Sequence, residues 1–310
     1  MNPSHCSLIS PLALVSSATH RAPFPISDFD GLDPSWYPNL YSGSILHVCP
    51  PALPSFVKKV LPTITVPFKL LTNNSDYTLP KDFPDESEIL LQHPLLIHWF
   101  SQNWVLDHPK VTRIPIGLDY HSLHIDQPRL RILSRTIYSS IQHPFGWGAC
   151  KPAILQEQDL LQIKHNSKSF WDRDIKGYAN FHFAVTMGYG KSDRPDALNT
   201  IPKELVFYEP AKVTRGICWK NMIQYAFVIS PHGNGLDCHR TWEALALGCI
   251  PIVKSSGIDR LFDDLPVWIV QTWNEVNLEN MKDKIQEFRN KTFNYEKLTL
   301  TYWKSKIINT

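Results

Sequence analysis

The stretch SPHGNGLDCHRTWEALALGCIPIVKSSG, Ser230 to Gly257, brings His232, Gly233, Gly235, Arg240 and Glu243 close together in the sequence. Gly233 and Gly235 flank Asn234, and glycine lets a backbone approach a phosphate closely and take positive φ. Arg240 and Glu243 are three residues apart, so on a helix they share a face. Helical side chains lean toward the N-terminus, which sends both toward the glycine turn. A guanidinium suits phosphate oxygens, and a carboxylate suits the vicinal hydroxyls of a ribose. His232 can donate to a phosphate or a sugar oxygen. The segment therefore reads as a diphosphate cradle, with the backbone of Gly233, Asn234 and Gly235 at a helix N-terminus and Arg240 and His232 beside it. The same residues also fit a tight turn without a ligand, followed by an ordinary surface ion pair.

The elements around this segment must position it. YAFVIS before the turn and IPIV after it are short apolar runs of the strand type. Cys238 to Leu247 is a good helix former, with Asp237 as its N-cap and Gly248 at the left-handed C′ position. Strand, glycine turn, helix and strand form one unit, and in open α/β sheets ligands bind beyond the carboxyl ends of the strands.

The wider chain repeats this alternation. SGSILHVC, a helical stretch near PSFVKKVL, PFKLLTN, a helix near DESEILLQ, LLIHWF and VTRIPIGL imply a parallel sheet with right-handed crossovers. A polar stretch at His165 to Asp174 marks a boundary, so an N-terminal α/β domain is expected over 1–165 and a second over 166–310. The second comprises YANFHFAV, ELVFYEP, YAFVIS, IPIVK and VWIV, then helices from Val276 to about Ile308. Residues 1 to about 35, rich in Pro and Ser, read as an irregular lead-in.

Composition limits the function. With 310 residues and 43% hydrophobic content the chain can fill two cores, and Lys+Arg 31 against Asp+Glu 29 gives +2, which argues against a general nucleic-acid surface. No apolar run approaches the roughly 18–20 residues of a membrane span. LISPLALVSSA has the length of a signal-peptide core but lacks a basic flank. The six cysteines, Cys6, Cys49, Cys150, Cys218, Cys238 and Cys249, form no CxxC pair, which favours reduced thiols and a cytoplasmic setting, with the secretory-pathway lumen as the alternative. Sequons stand at Asn73 and Asn290. The Walker A pattern is missing, the dinucleotide fingerprint has Cys238 where its third glycine belongs, and neither zinc spacing nor a GxSxG elbow occurs.

YAFVISPHGNGLDCHRTWEALALGCIPIVKSS closely resembles the donor-site segment of exostosin-like glycosyltransferases of the GT-B architecture. NFHFAVTMGYGKSDRPDALN, LLTNNSD, FSQNW and IPIGLDYHS fit the looser pattern around it. The resemblance covers most of the chain after about residue 40, most strongly in the second half. It implies two Rossmann-like domains with parallel sheets facing a cleft, and a UDP- or GDP-sugar donor held by the C-terminal domain without an obligatory metal. It also implies a glycan or glycoprotein acceptor bound mainly by the N-terminal domain. Glu243 becomes the ribose contact. Arg240, His232 and the Gly233 to Gly235 backbone become diphosphate contacts, with Arg194, Arg215 and Lys220 as supplementary cations.

Sugar transfer with inversion needs a base across the cleft. Asp76, after LLTNNS, and Asp119, after IPIGL, each end a predicted strand and can serve. Whether the enzyme inverts or retains stays open, as do the sugar and the acceptor, whose contacts are expected on loops including FGWGACKP. Asp172 and Asp174 in DRD resemble the metal-binding pair of another glycosyltransferase architecture, though no clean apolar strand runs into them. A dinucleotide-dependent oxidoreductase and a binding protein without turnover are the alternatives.

Overall fold

The computed structural model describes residues 5–22, 32–120, 148, 151–182 and 188–310. It is an α/β protein with two parallel sheets, each of five strands among the described residues. In the first, β1 (His20–Arg21), β2 (Ser44–Val48), β3 (Phe68–Thr72), β4 (Leu96–Ser101) and β5 (Val111–Arg113) lie in sequence order. β2 and β3 pair in register from Ser44 and Phe68 to Val48 and Thr72 and are buried throughout. Strands covered on both faces read as continuous apolar runs, which is why SILHV and FKLLT are legible.

In the second sheet β6 (Asp174–Ala179), β7 (Val206–Tyr208), β8 (Tyr225–Ile229), β9 (Ile250–Lys254) and β10 (Trp268–Val270) take the order β10-β9-β8-β6-β7. The chain steps one way from β6 to β7 and the other way from β8 to β9. Right-handed crossovers then put the connecting helices on opposite faces. The helix Gly190–Thr200 joins β6 to β7, and His239–Ala246 joins β8 to β9. The cores agree: Ala197 packs with Ala179, Phe227 and Trp273, whereas Trp242 packs with Tyr178, Val228 and Leu247. The direction reverses between β6 and β8, so the crevice above their carboxyl ends is the switch point of this sheet.

Among the described residues the α-helices outside 50–63 are, in chain order, α1 (Pro11–Val15), α2 (Pro84–Gln92), α3 (Ala153–His165), α4 (Gly190–Thr200), α5 (Arg215–Met222), α6 (His239–Ala246), α7 (Leu278–Arg289) and α8 (Leu300–Asn309). Residues 50–63 form a mixed helical stretch. Part of the expected lead-in is folded instead. Pro11 fits the first turn of α1, Ile9 and Leu14 are fully buried, and His20–Arg21 extends the first sheet as its edge. The apolar residues of LISPLALV thus fill a core. The two halves are also interleaved: Ile9 N–H donates to the Leu298 carbonyl, and Lys69 caps α8 through the carbonyls of Ile307 and Ile308. α3 lies just before the expected boundary at 165, yet packs against α5 and α6.

The carboxyl ends of the two sheets meet at the glycine turn after β8. Asp237 N–H donates to Asn103 Oδ1 after β4, and His239 Nδ1 lies 2.7 Å from the Gly117 carbonyl after β5. Asp237 is not the N-cap of α6. Cys238 holds that place, and the buried Asp237 carboxylate accepts from Ile116 N–H at 2.7 Å and Trp242 Nε1 at 2.8 Å, tying the first half to the second. Burial pushes its carboxyl up to about 7, although the Ile116, Trp242 and Cys238 hydrogen bonds act the other way. A folded value above the unfolded one of about 3.9 means that the contribution present in acid is lost as pH rises toward neutrality. Stability measured by urea unfolding is expected to fall between about pH 4 and 7 in the wild type. That slope should flatten in Asp237→Asn, which should itself lose about 1–3 kcal/mol because one buried donor is left without its acceptor.

Among the described residues no helix is long and apolar enough to cross a membrane. Cys6, Cys49, Cys218, Cys238 and Cys249 are free thiols.

Candidate functional site

The crevice over β6 and β8 holds two arginines. Arg194, one turn into α4 and 6% exposed, donates through Nε to the His232 carbonyl at 3.0 Å and through Nη1 to the His182 carbonyl at 2.6 Å. It thereby bridges the chain leaving β6 and the chain leaving β8. Its Nη2 lies beside the turn, 3.5 Å from where a side chain on Gly233 would begin. Arg240, in the first turn of α6, bonds through Nη1 to the Pro231 carbonyl at 3.2 Å and sits 5.4 Å from the centre of the Phe181 ring. Among the described residues, neither guanidinium has a carboxylate within 4.0 Å. Burial, followed by the charge of Arg240, pushes Arg194 down to about 10. Burial and then Arg194, Arg240 and Lys212 push His182 down as well. Two helix N-termini, of α4 and α6, add their dipoles. Among the described residues the crevice thus holds two guanidiniums that no carboxylate pairs directly, with Asp193 acting on Arg194 only from beyond ion-pair distance.

The glycine turn supports this site differently from expectation. Gly233 and Gly235 are not in the positive-φ region. Gly233 N–H closes the turn on the Gly235 carbonyl, and His232 N–H goes to Asp193. Both groups are therefore spent on protein partners. Gly235 is required by close approach: a Cβ there would lie 2.8 Å from Asn103 Nδ2 and 3.0 Å from the Asp76 carbonyl oxygen, across the junction of the halves. Asn234 is exposed. Gly248 has the expected left-handed φ of 71°, which ends the segment after α6.

One turn further along α6 from Arg240, Glu243 is buried with Arg215 and Asp119. Arg215 Nη2 donates to Asp119 Oδ2 at 2.6 Å, Nη1 donates to the Asp119 carbonyl and to Gln156 Oε1, and Nε is 3.9 Å from Glu243 Oε1. One guanidinium thus serves two carboxylates, and its close contacts go to Asp119. Burial raises the Glu243 carboxyl, with Arg215 opposing and Asp119 reinforcing the shift. A carboxylate held this way can accept from hydroxyl groups. Arg215, expected as a phosphate cation, is an anchor for Asp119 in this geometry.

His232 is 7% exposed, and its Nδ1 lies 3.0 Å from Asp193 Oδ2. Asp193 also accepts from Trp273 Nε1 at 2.8 Å. Burial would raise the Asp193 carboxyl, but the His232 and Trp273 hydrogen bonds hold it below the usual range. Sequence reasoning missed Asp193 and its partners Trp273 and Lys254, which come from separate elements. The available signal was positional, since Asp193 precedes Arg194 on the helix leaving the switch point.

Lys220 sits exposed in the last turn of α5, away from that helix's start at Arg215. Asp76 is exposed on the loop after β3, facing Gly235 across the junction. Asp174 begins β6, so DRD lies at the amino end of the second sheet, opposite the crevice, and Arg173 between the carboxylates bonds to the Leu247 carbonyl. Among the described residues no group of three or more His, Cys, Asp or Glu is placed to hold a metal ion. Asn73 is fully buried against His47 and Pro11, and Asn290 is exposed at the end of α7. Most of FGWGACKP and part of NFHFAVTMGYG lie outside the described residues.

No protein-family model matches the chain, and no curated protein matches it. Among solved structures the chain is similar to trehalose-6-phosphate from E. coli bound with UDP-2-fluoro glucose, at 9% identity and a TM-score of 0.37, covering 88% of this chain and 70% of that one. It is also similar to a crystal structure of an alpha1,3-fucosyltransferase, at 15% identity and a TM-score of 0.33, covering 96% and 95%. Likeness this distant assigns no role to any residue.

Proposed function

We propose that the chain is a nucleotide-sugar-dependent glycosyltransferase of the GT-B type, with the donor in the crevice over β6 and β8. The observation that supports this reading is the pair Arg194 and Arg240, two guanidiniums without a carboxylate partner among the described residues at the switch point of a parallel sheet. Cations placed this way meet the charge that develops on a departing nucleoside diphosphate. Glu243 takes the ribose hydroxyls, and the first turn of α6 completes the cradle. The acceptor, a glycan or glycoprotein hydroxyl, enters from the first half. The exostosin-like assignment rests on the residue pattern from Tyr225 to Ser256.

A thermal-shift series with UDP, GDP, UDP-sugars, GDP-sugars and NADH tests the site. A matching nucleoside diphosphate at 100 times its dissociation constant is expected to stabilise the protein by about 2.7 kcal/mol. Stabilisation by NADH alone would overturn the proposal in favour of a dinucleotide enzyme. Transfer is further expected to persist in EDTA, because the arginines and helix termini meet the leaving charge. Activity abolished by EDTA and restored by manganese would contradict that part.

A further inference from the structure

We propose that Asp193 and His232 form the base that takes the proton from the acceptor hydroxyl. The inference rests on the donor-site reading and extends it to the group that sequence could only seek among Asp76 and Asp119. Asp119 is held by Arg215, whose Nη2 meets its carboxylate at 2.6 Å and whose Nη1 donates to its backbone carbonyl, so its carboxylate is committed to an ion pair. Asp76 is exposed, and what meets Gly235 across the junction is its backbone, the carbonyl oxygen and Cα, with no ion pair fixing its carboxylate among the described residues. His232 is better placed on three counts.

First, its orientation is fixed. Asp193 Oδ2 receives both the His232 backbone N–H at 2.9 Å and ring Nδ1 at 3.0 Å, and Tyr189 meets the ring edge-on with centroids 6.1 Å apart. A nitrogen at that distance from an anionic carboxylate carries a hydrogen, so Nε2 is the basic position. An accepting nitrogen suits a hydroxyl, whereas a phosphate needs donors. This geometry therefore reassigns the ring from diphosphate contact to base. Second, Asp193 is itself anchored. Trp273 Nε1 binds its other oxygen at 2.8 Å, and Lys254 stands 3.8 Å away, so the carboxylate cannot swing off the ring. Third, there is room. A cavity of about 300 Å³ is lined by Tyr189, Ser192, Asp193, Asp196, His232 and Lys254. Its hydroxyl, carboxylate and ammonium groups suit a polyhydroxylated ring. Two of its lining residues, His232 and Asp193, are the chain neighbours of Gly233 and Arg194, whose guanidinium lies beside the turn.

The step balances without a further reagent. The acceptor oxygen forms a bond to the anomeric carbon as its proton passes to His232 Nε2. The bond from that carbon to the phosphate oxygen breaks, and the electron pair leaves on the nucleoside diphosphate, where Arg194 and Arg240 meet it. The imidazolium that results is stabilised by Asp193 and then loses its proton to solvent.

Two measurements test this. Two-bond ¹H–¹⁵N spectra of the free protein at about pH 8.5 report the histidine tautomer. His232 is expected to carry its proton on Nδ1 in the wild type, to shift toward the Nε2–H form in Asp193→Asn, and to return in Asp193→Glu. Steady-state transfer from the UDP- or GDP-sugar that stabilises the wild type supplies the second measurement. His232→Gln and Asp193→Asn, each first shown to melt cooperatively, are expected to lower kcat on the order of a hundredfold or more. Their affinity for UDP or GDP should stay within about threefold of wild type, and added imidazole should restore part of the rate in His232→Gly. A product with inverted anomeric configuration agrees with a single displacement. Retained configuration, a wild-type Nε2–H tautomer, or unchanged kcat in both variants beside a collapse in Asp76→Asn would each overturn the inference alone. A wild type that binds no nucleoside diphosphate overturns the donor-site reading and this inference together.

Discussion

Replacing both crevice arginines, Arg194→Met with Arg240→Met, is expected to reduce affinity for UDP or GDP by well over a hundredfold while the protein still folds. Each guanidinium can offer a charge-assisted hydrogen bond, and such bonds are worth about 1.5–3 kcal/mol apiece where water is excluded. The two charges also repel each other in the free protein, which is why burial and the neighbouring Arg240 lower Arg194. Removing both therefore relieves a cost in the unliganded state and deletes the attraction in the bound one. The single variants differ in a useful way. Arg240→Met loses its bond to the Pro231 carbonyl and its place over Phe181, from a side chain that is itself only half-buried. Arg194→Met also frees the carbonyls of His182 and His232, so it should lower the melting temperature more. Isothermal titration with UDP and GDP, next to a thermal melt, separates the two effects. Affinity within threefold of wild type in the folded double variant would place the diphosphate elsewhere.

Much of the second half was legible because its signals are local. YAFVIS and IPIV are buried strands of a parallel sheet, α6 follows the turn directly, and Gly248 ends the segment as its φ requires. The turn, α6 and its neighbours are consecutive in sequence, so type and spacing sufficed. What sequence could not show depends on contacts made over long separations. Asp237 resembles an N-cap from its neighbours alone, yet its carboxylate is claimed by Ile116, 121 positions away. Arg215 resembles another phosphate cation until Asp119, 96 positions earlier, takes it. Pro11 and the serines near it suggested an irregular lead-in, but proline is welcome at a helix start, and the buried Ile9 and Leu14 decide the outcome through packing.

The same distinction explains the glycine turn. Two closely spaced glycines before a helix suggest backbone N–H groups aimed at a phosphate. Gly235 is instead small because Asn103 and the Asp76 backbone press on it, and Gly233 N–H is used within the turn. Composition records that a close approach occurs. Which atoms approach is a property of the docked halves.

Glu243 joins binding to stability, and Glu243→Gln is expected to move the two in opposite directions. In the free protein the carboxylate is almost fully buried, its nearest cation is 3.9 Å away, and that cation is bonded more closely to Asp119. An ionised group so poorly compensated costs folding free energy. Burial accordingly raises its carboxyl, and a raised acid makes a contribution that is lost as pH climbs through its folded value. Glutamine keeps the shape and removes the charge. The variant should therefore melt above the wild type at neutral pH, with a smaller advantage in acid, where the wild-type carboxyl is protonated. Binding should suffer, because a carboxylate offers an anionic oxygen to each of two ribose hydroxyls, whereas glutamine replaces one of those oxygens by an NH2 donor and removes the charge. The lost charge-assisted bond corresponds to roughly 1.5–3 kcal/mol, or about 10- to 150-fold in affinity for UDP or GDP. A polar group retained at a cost to the fold and needed for a ligand is the usual mark of a binding site. Melting curves at two pH values and titration with UDP and GDP decide it. A variant that melts lower and binds as well as the wild type would make Glu243 part of the Arg215 and Asp119 anchor, with no contact to the ribose.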